Sequence, residues 1–128
     1  MSITCCYIKE QYFKEHSSFV KMLDPGNTAK QSHRSYLCLK ITNDGNDYYL
    51  PLRNNLGADV RPYGRIGHSV PSASRSDAGL DYRYALIVND SKYIEIPTTQ
   101  KIPNKQWNKI TADYNNIISE FTVYLSGI

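Results

Sequence analysis

The most regular pattern in the chain lies towards its C-terminal end, where Trp107, Ile110, Tyr114, Ile117, Ile118, Phe121 and Leu125 recur at intervals of three and four residues. That spacing lays an apolar stripe along one helix, opened by Pro103-Asn104 and stopped at Gly127. Asn104 suits the N-cap because its side chain can accept a hydrogen bond from the first orphan N–H groups. Burying such a stripe is worth about 1.5 to 3 kcal/mol per large side chain, so this helix is expected to be central to stability. A shorter stripe, Tyr12, Phe19, Val20 and Leu23, predicts a helix over Lys9 to Leu23 that ends at Asp24-Pro25-Gly26-Asn27.

The remaining apolar runs are short and β-prone. Ile3 to Ile8 reads as a strand. Ser32 to Thr42 and Tyr48 to Asn55 flank the loop Asn43 to Asp47, which contains Asp-Gly, and together they predict a β-hairpin. Such a hairpin brings Ser32, His33 and Arg34 beside Arg53, Asn54 and Asn55. A second hairpin is expected from Tyr84 to Pro97, turning at Asn89 to Lys92. Its first strand, Ala85 to Val88, is expected to be covered on both sides, and its second to lie nearer an edge. Between the hairpins, Leu56 to Ser76 is rich in glycine, proline and serine and reads as a long loop, either binding or solvated and disordered. Gly79 to Tyr82 reads as a turn at the start of a strand. The elements add up to an α+β domain, an antiparallel sheet with an N-terminal helix and a long C-terminal helix.

A length of 128 residues with 41% hydrophobic content suits one domain over residues 1–128. Neither a secretory start nor a membrane-length apolar run is present, so a cytoplasmic protein with no membrane partner is expected. Cys5, Cys6 and Cys38 match neither a disulfide framework nor a zinc spacing and read as free thiols. The formal charge of +3 is unevenly placed. Lys30, Arg34, Lys40, Arg53, Arg61 and Arg65 face only Asp44, Asp47 and Asp59 in that stretch, so the whole excess falls in the first hairpin and the loop after it. A localised anionic partner fits this distribution, with basic surface loops as the plainer alternative. Within the loop, Arg61, Tyr63 and Arg65 have the composition of a segment that grips phosphates and stacks on bases.

Motifs for nucleotide-loop, dinucleotide, zinc-protease and serine-hydrolase chemistry are missing, and the carboxylates are dispersed singly, against a metal-dependent nuclease. No cofactor is expected. What remains is arginine, hydroxyl and amide chemistry. RNA can be cleaved without metal when its own 2′-hydroxyl is set in line, the phosphorane is held by cations and amides, and protons move at both ends. Arg34, Arg53 and Asn54 are candidates to hold the phosphorane, and His33, Tyr12 or a serine to move protons. Arginine stays protonated, so its role is electrostatic. Pairing of these arginines to Asp44 or Asp59 is the structural alternative, and a lone histidine is more often structural than catalytic.

An N-terminal strand, a helix carrying Tyr12, Arg34 before an aromatic-aliphatic strand, Tyr48-Tyr49-Leu50-Pro51-Leu52 followed by two polar residues, and Ala78 to Val88 together resemble the toxins of type III toxin-antitoxin systems. These are the ToxN, AbiQ and TenpN families, TenpN most of all. The resemblance implies a metal-independent endoribonuclease with a compact, strongly bent antiparallel sheet related to the MazF and Kid barrel. It also implies substrate mRNA, an inhibitory RNA of pseudoknot repeats in a basic groove, a multi-subunit protein–RNA assembly, and abortive infection against phage in a bacterial cytoplasm. Tyr12 and Arg34 fall on the family's tyrosine and lysine, and Arg53-Asn54 on its Thr-Ser pair. The departures imply either that catalytic roles are redistributed to His33, Ser32 or His68, or that activity is altered. Lys30, Ser32, Arg61, Tyr63, Arg65, His68, Tyr82 and Arg83 are the expected RNA-binding residues. Two other readings stay open, a non-catalytic RNA-binding module and a toxin acting on a protein.

Overall fold

A computed structural model of the chain describes residues 4–15, 34–40, 46–57, 66–97 and 102–126. The elements follow in the order β1 (Thr4–Ile8), α1 (Glu10–Glu15), β2 (Tyr36–Lys40), β3 (Asp47–Arg53), β4 (Gly67–Ser69), β5 (Gly79–Asp81), β6 (Leu86–Ile87), β7 (Ile94–Glu95) and α2 (Asn104–Ser126), with 3-10 turns at Tyr82–Tyr84 and Ser91–Tyr93. This is an α+β architecture with a seven-stranded antiparallel sheet ordered β4-β5-β3-β2-β1-β7, β6 also pairing with β3. Among the described residues the sheet is open: its path runs from β4 to β7 without closing into a barrel. No helix among the described residues is long and apolar enough to cross a membrane.

The first hairpin forms as β2 and β3, with Tyr36 opposite Pro51 and Lys40 opposite Asp47. Leu52 N–H donates to Ser35 O at 3.0 Å, so along β3 the nitrogen of Pro51 faces the other edge. There the partner changes, from β6 at Tyr48 and Tyr49 to β5 at Leu52 and Arg53. A residue without an N–H is tolerated at that junction because no ladder bond is required of it.

The second expected hairpin does not form. β6 pairs with β3 and β7 with β1 instead, while Leu86 and Ile94 pack against one apolar cluster. Ile87 of β6 is exposed, so that strand is not covered on both sides. The long loop contains β4, and Gly79 to Asp81 is itself a strand rather than a turn. Both glycines there serve close backbone approach. A Cβ on Gly67 would lie 2.7 Å from Leu80 O, and one on Gly79 would collide with His68 O and the Leu56 side chain. The early helix is described only through Glu15, and residues 16–23 of the expected span lie outside the described residues.

Alternation along the strands sorts the core into two clusters. Cys5, Leu37, Leu39, Tyr48, Leu50 and Leu80 pack with Ile110, Tyr114, Ile117 and Phe121 of α2. Cys6, Ile8, Tyr36 and Tyr49 pack with Tyr12 and Phe13 of α1 and with Leu86, Val88 and Tyr93. Adjacent cysteines therefore point to opposite clusters, as strand geometry requires. Burial pushes both the Cys5 and Cys6 thiols up to about 12, which keeps them protonated at neutral pH.

Phe121 is fully buried, and its ring meets those of Tyr48 and Tyr82. Phe121→Ala is expected to cost about 3 to 5 kcal/mol of stability, measured by denaturant unfolding. Gly79→Ala is expected to lower the same midpoint, whereas Gly57→Ala leaves the neighbouring atoms undisturbed and is strained only by its positive φ of 81°.

Candidate functional site

An open cleft of about 600 Å³ forms where four segments meet: Arg34 and Ser35 ahead of β2, Leu52 and Asn54 at the end of β3, the Ser72-Ala73-Ser74-Arg75 turn, and Ile102, Pro103 and Gln106 at the start of α2. The turn is closed by Ser72 N–H donating to Arg75 O and Arg75 N–H donating to Ser72 Oγ, both at 3.0 Å. Buried Gln106 donates from Nε2 to Val70 O at 2.9 Å, which ties the helix start to the segment leading into that turn. Arg34 reaches the backbone O of Leu52 through Nη1 in a long contact of 3.5 Å. The result is a concave surface lined by two guanidiniums, the Asn54 and Gln106 amides and serine hydroxyls, together with apolar Leu52 and Ile102. It suits an anion carried on a partly apolar ligand.

Arg34 and Asn54 thus share a site, as the hairpin register predicts. Arg53 does not line the cleft. It donates from Nη1 to Asp81 Oδ2 at 2.9 Å, and Asp81 is wholly buried. The same carboxylate accepts from Arg83 Nε at 3.0 Å and Nη2 at 3.0 Å, and from the Arg83 backbone N–H at 3.0 Å. Both guanidiniums also lie over the Tyr84 ring, at 5.5 and 5.8 Å from its centroid. Among the described residues the acidic partner of Arg53 is Asp81; Asp44 and Asp59 lie outside the described residues. Removing a buried partner strands charge at considerable cost, so Asp81→Ala is expected to lower stability by roughly 3 to 5 kcal/mol in thermal or urea unfolding.

Tyr12 is packed away from the cleft. It is buried against Phe13 and Tyr93 in edge-on contacts at 5.4 and 5.3 Å, and burial first, then Tyr93, raises its pKa. A phenol so placed is a structural ring. Tyr82, expected on an RNA surface, is buried too, and its hydroxyl donates to Glu120 Oε1 at 2.8 Å. His68, expected to contact RNA, is buried beneath α2 with Nε2 2.9 Å from Asp113 Oδ2 and Nδ1 2.9 Å from Glu120 Oε1. Each ring nitrogen thus meets one carboxylate oxygen, which fixes the ring between two residues of α2. Lys30, Ser32, His33, Arg61, Tyr63 and Arg65 lie outside the described residues.

Because the imidazole stands between Asp113 and Glu120, their oxygens do not converge on one point. Among the described residues no group of His, Cys, Asp and Glu side chains could hold a metal ion. Lys109 Nζ adds an ion pair to Asp113 at 2.8 Å. Asp113 and Glu120, seven apart, sit on one side of α2 and were legible as a pair only once β4 was known to lie beneath them. Ser72, Ser74 and Arg75 are cleft residues that the loop's composition marked only as a polar stretch.

Hydrogen bonds from Lys109 first and His68 second hold the Asp113 carboxyl below its ordinary value of 3.8. A carboxyl depressed in the folded state adds stability above its unfolded pKa, and that increment disappears as pH falls through the folded value. Acidification below pH 3.8 is therefore expected to destabilise the protein, with Asp113→Asn flattening that limb of a urea-midpoint profile. Comparison with protein families, curated proteins and solved structures gives no match.

Proposed function

We propose that the chain binds RNA with a phosphodiester in the Arg34 cleft and cleaves it there without metal, as an endoribonuclease toxin of the type III kind held in check by a structured RNA. The observation that carries this reading is the convergence of Arg34, Asn54 and Arg75 with Ser72 and Ser74 on one open cleft at the end of the first hairpin. The open antiparallel sheet with α2 against it is compatible with the bent-sheet architecture of the MazF and Kid toxins. A bacterial cytoplasmic setting, pseudoknot antitoxin repeats and a protein–RNA assembly belong to the same proposal.

In the reaction the 2′-oxygen bonds to phosphorus, the bond from phosphorus to the 5′-oxygen breaks, and the products carry a 2′,3′-cyclic phosphate and a 5′-hydroxyl. In this reading the guanidiniums and the Asn54 amide stabilise charge on the non-bridging oxygens. Protons must leave the 2′-hydroxyl and reach the 5′-oxygen. Among the described cleft residues there are hydroxyls but no carboxylate or imidazole. That observation favours a second reading, an RNA-binding module that leaves its ligand intact.

Mapping RNA ends after incubation with purified protein in chelator separates the two. Sequence-selective cyclic-phosphate ends, lowered roughly 10²- to 10³-fold by Arg34→Ala, are the expected outcome. Bound but uncut RNA would establish the second reading, and ends carrying 3′-hydroxyl and 5′-phosphate would overturn the chemistry.

A further inference from the structure

We infer that Arg53, Arg83 and Tyr84 form a second phosphate-holding position on the opposite side of β3 from the cleft, built on the buried carboxylate of Asp81. The inference rests on the RNA-binding reading of the cleft and adds to it a place for the backbone of a neighbouring nucleotide.

Strand geometry carries the placement. Leu52 lies opposite Leu80, and Leu80 opposite His68, on the side of the sheet covered by α2. Arg53 and Asp81, one residue on from Leu52 and Leu80, point to the other side. Successive residues at the end of β3 therefore serve two positions, Asn54 in the cleft and Arg53 beside Asp81. Arg34, in contact with Leu52 O, borders the cleft at this strand end. A chain of phosphates crossing the end of this strand would meet cationic side chains on both sides.

The chemistry is that of a preorganised anion site. Two guanidiniums share one carboxylate, which leaves the group a net positive charge. Among the described residues Arg53 makes one hydrogen bond through Nη1 to Asp81, and its side chain is 29% exposed. A guanidinium has five N–H donors in a rigid fork, so donors remain to face an incoming phosphate. Arg83 is clamped by Asp81 and also reaches Leu56 O at 3.4 Å, so it acts mainly as a fixed neighbouring charge with 22% of its side chain exposed. Tyr84 holds both planes through cation–π contact. Little rotamer freedom is then lost on binding, which makes such a site more effective than two mobile surface arginines.

The test uses a 2′-O-methyl oligouridylate, which cannot be cleaved by its own 2′-oxygen, and the corresponding dinucleotide with its single bridging phosphate. Binding to the full chain is followed by fluorescence anisotropy across a potassium chloride series. Arg53→Gln is expected to reduce the magnitude of the salt slope for the long oligonucleotide by about 0.7, the loss of one phosphate contact on a single strand, while leaving dinucleotide binding in place. Arg34→Gln is expected to weaken both ligands. Tyr84→Leu keeps every Asp81 hydrogen bond, so it tests the position even if Arg53→Gln unfolds. It is expected to weaken the long ligand about two- to fivefold. An unchanged slope in folded Arg53→Gln, or full affinity in Tyr84→Leu, with Arg34→Gln weakened, would overturn the second position and leave the cleft reading standing. Absence of binding by the wild-type chain would overturn both.

Discussion

Strand β3 is paired along both edges, to β2 on one side and to β6 and then β5 on the other. That arrangement fixes the direction of every side chain along it, because a strand held on two edges cannot rotate without breaking both ladders. Tyr48, Leu50 and Leu52 face α2, whereas Tyr49 and Arg53 face away. The polar end of β3 inherits this alternation. Arg53 and Asn54 are neighbours in the chain, yet one meets a buried carboxylate and the other opens onto a cleft.

Helix α2 is seated by two kinds of contact. Ile110, Ile117 and Phe121 are fully buried against the sheet, and the area they remove from water supplies the larger favourable term. Gln106 to Val70, and Asp113 and Glu120 to His68, then fix where along the sheet the helix rests. Apolar burial is non-directional and tolerates sliding, while hydrogen bonds of 2.9 Å do not. The helix start is thereby held beside Arg34 and the Ser72 turn, so the cleft depends on contacts made elsewhere along α2.

Two arginine groups at one end of the sheet differ in their surroundings. Arg34 and Arg75 border an open cleft, and Arg53 and Arg83 are clamped on Asp81 and Tyr84. The first arrangement admits a ligand into a concavity. The second presents fixed charge at a surface. In the proposed reading the first would position an extended polyanion and the second would add electrostatic attraction along it.

Local pattern by itself determined the α+β class, the first hairpin, and the long helix near the C-terminal end, since these rest on periodicities of two and of three to four between near neighbours. It also determined that Cys5 and Cys6 face opposite ways. Partners distant in sequence were decided only by tertiary structure. β6 and β7 each have too few residues to declare a partner, and they pair with β3 and β1 rather than with each other. Gly79 reads locally as a turn residue and is a strand residue through its pairing with Arg53 and Ser69, at a place where His68 and Leu56 leave no room for a Cβ. His68 and Tyr82 have the composition of a nucleic-acid surface, yet burial under α2 gives them to Asp113 and Glu120. A side chain's chemistry is written in the chain, but which charge it meets, and whether water reaches it, follows from which elements pack above it.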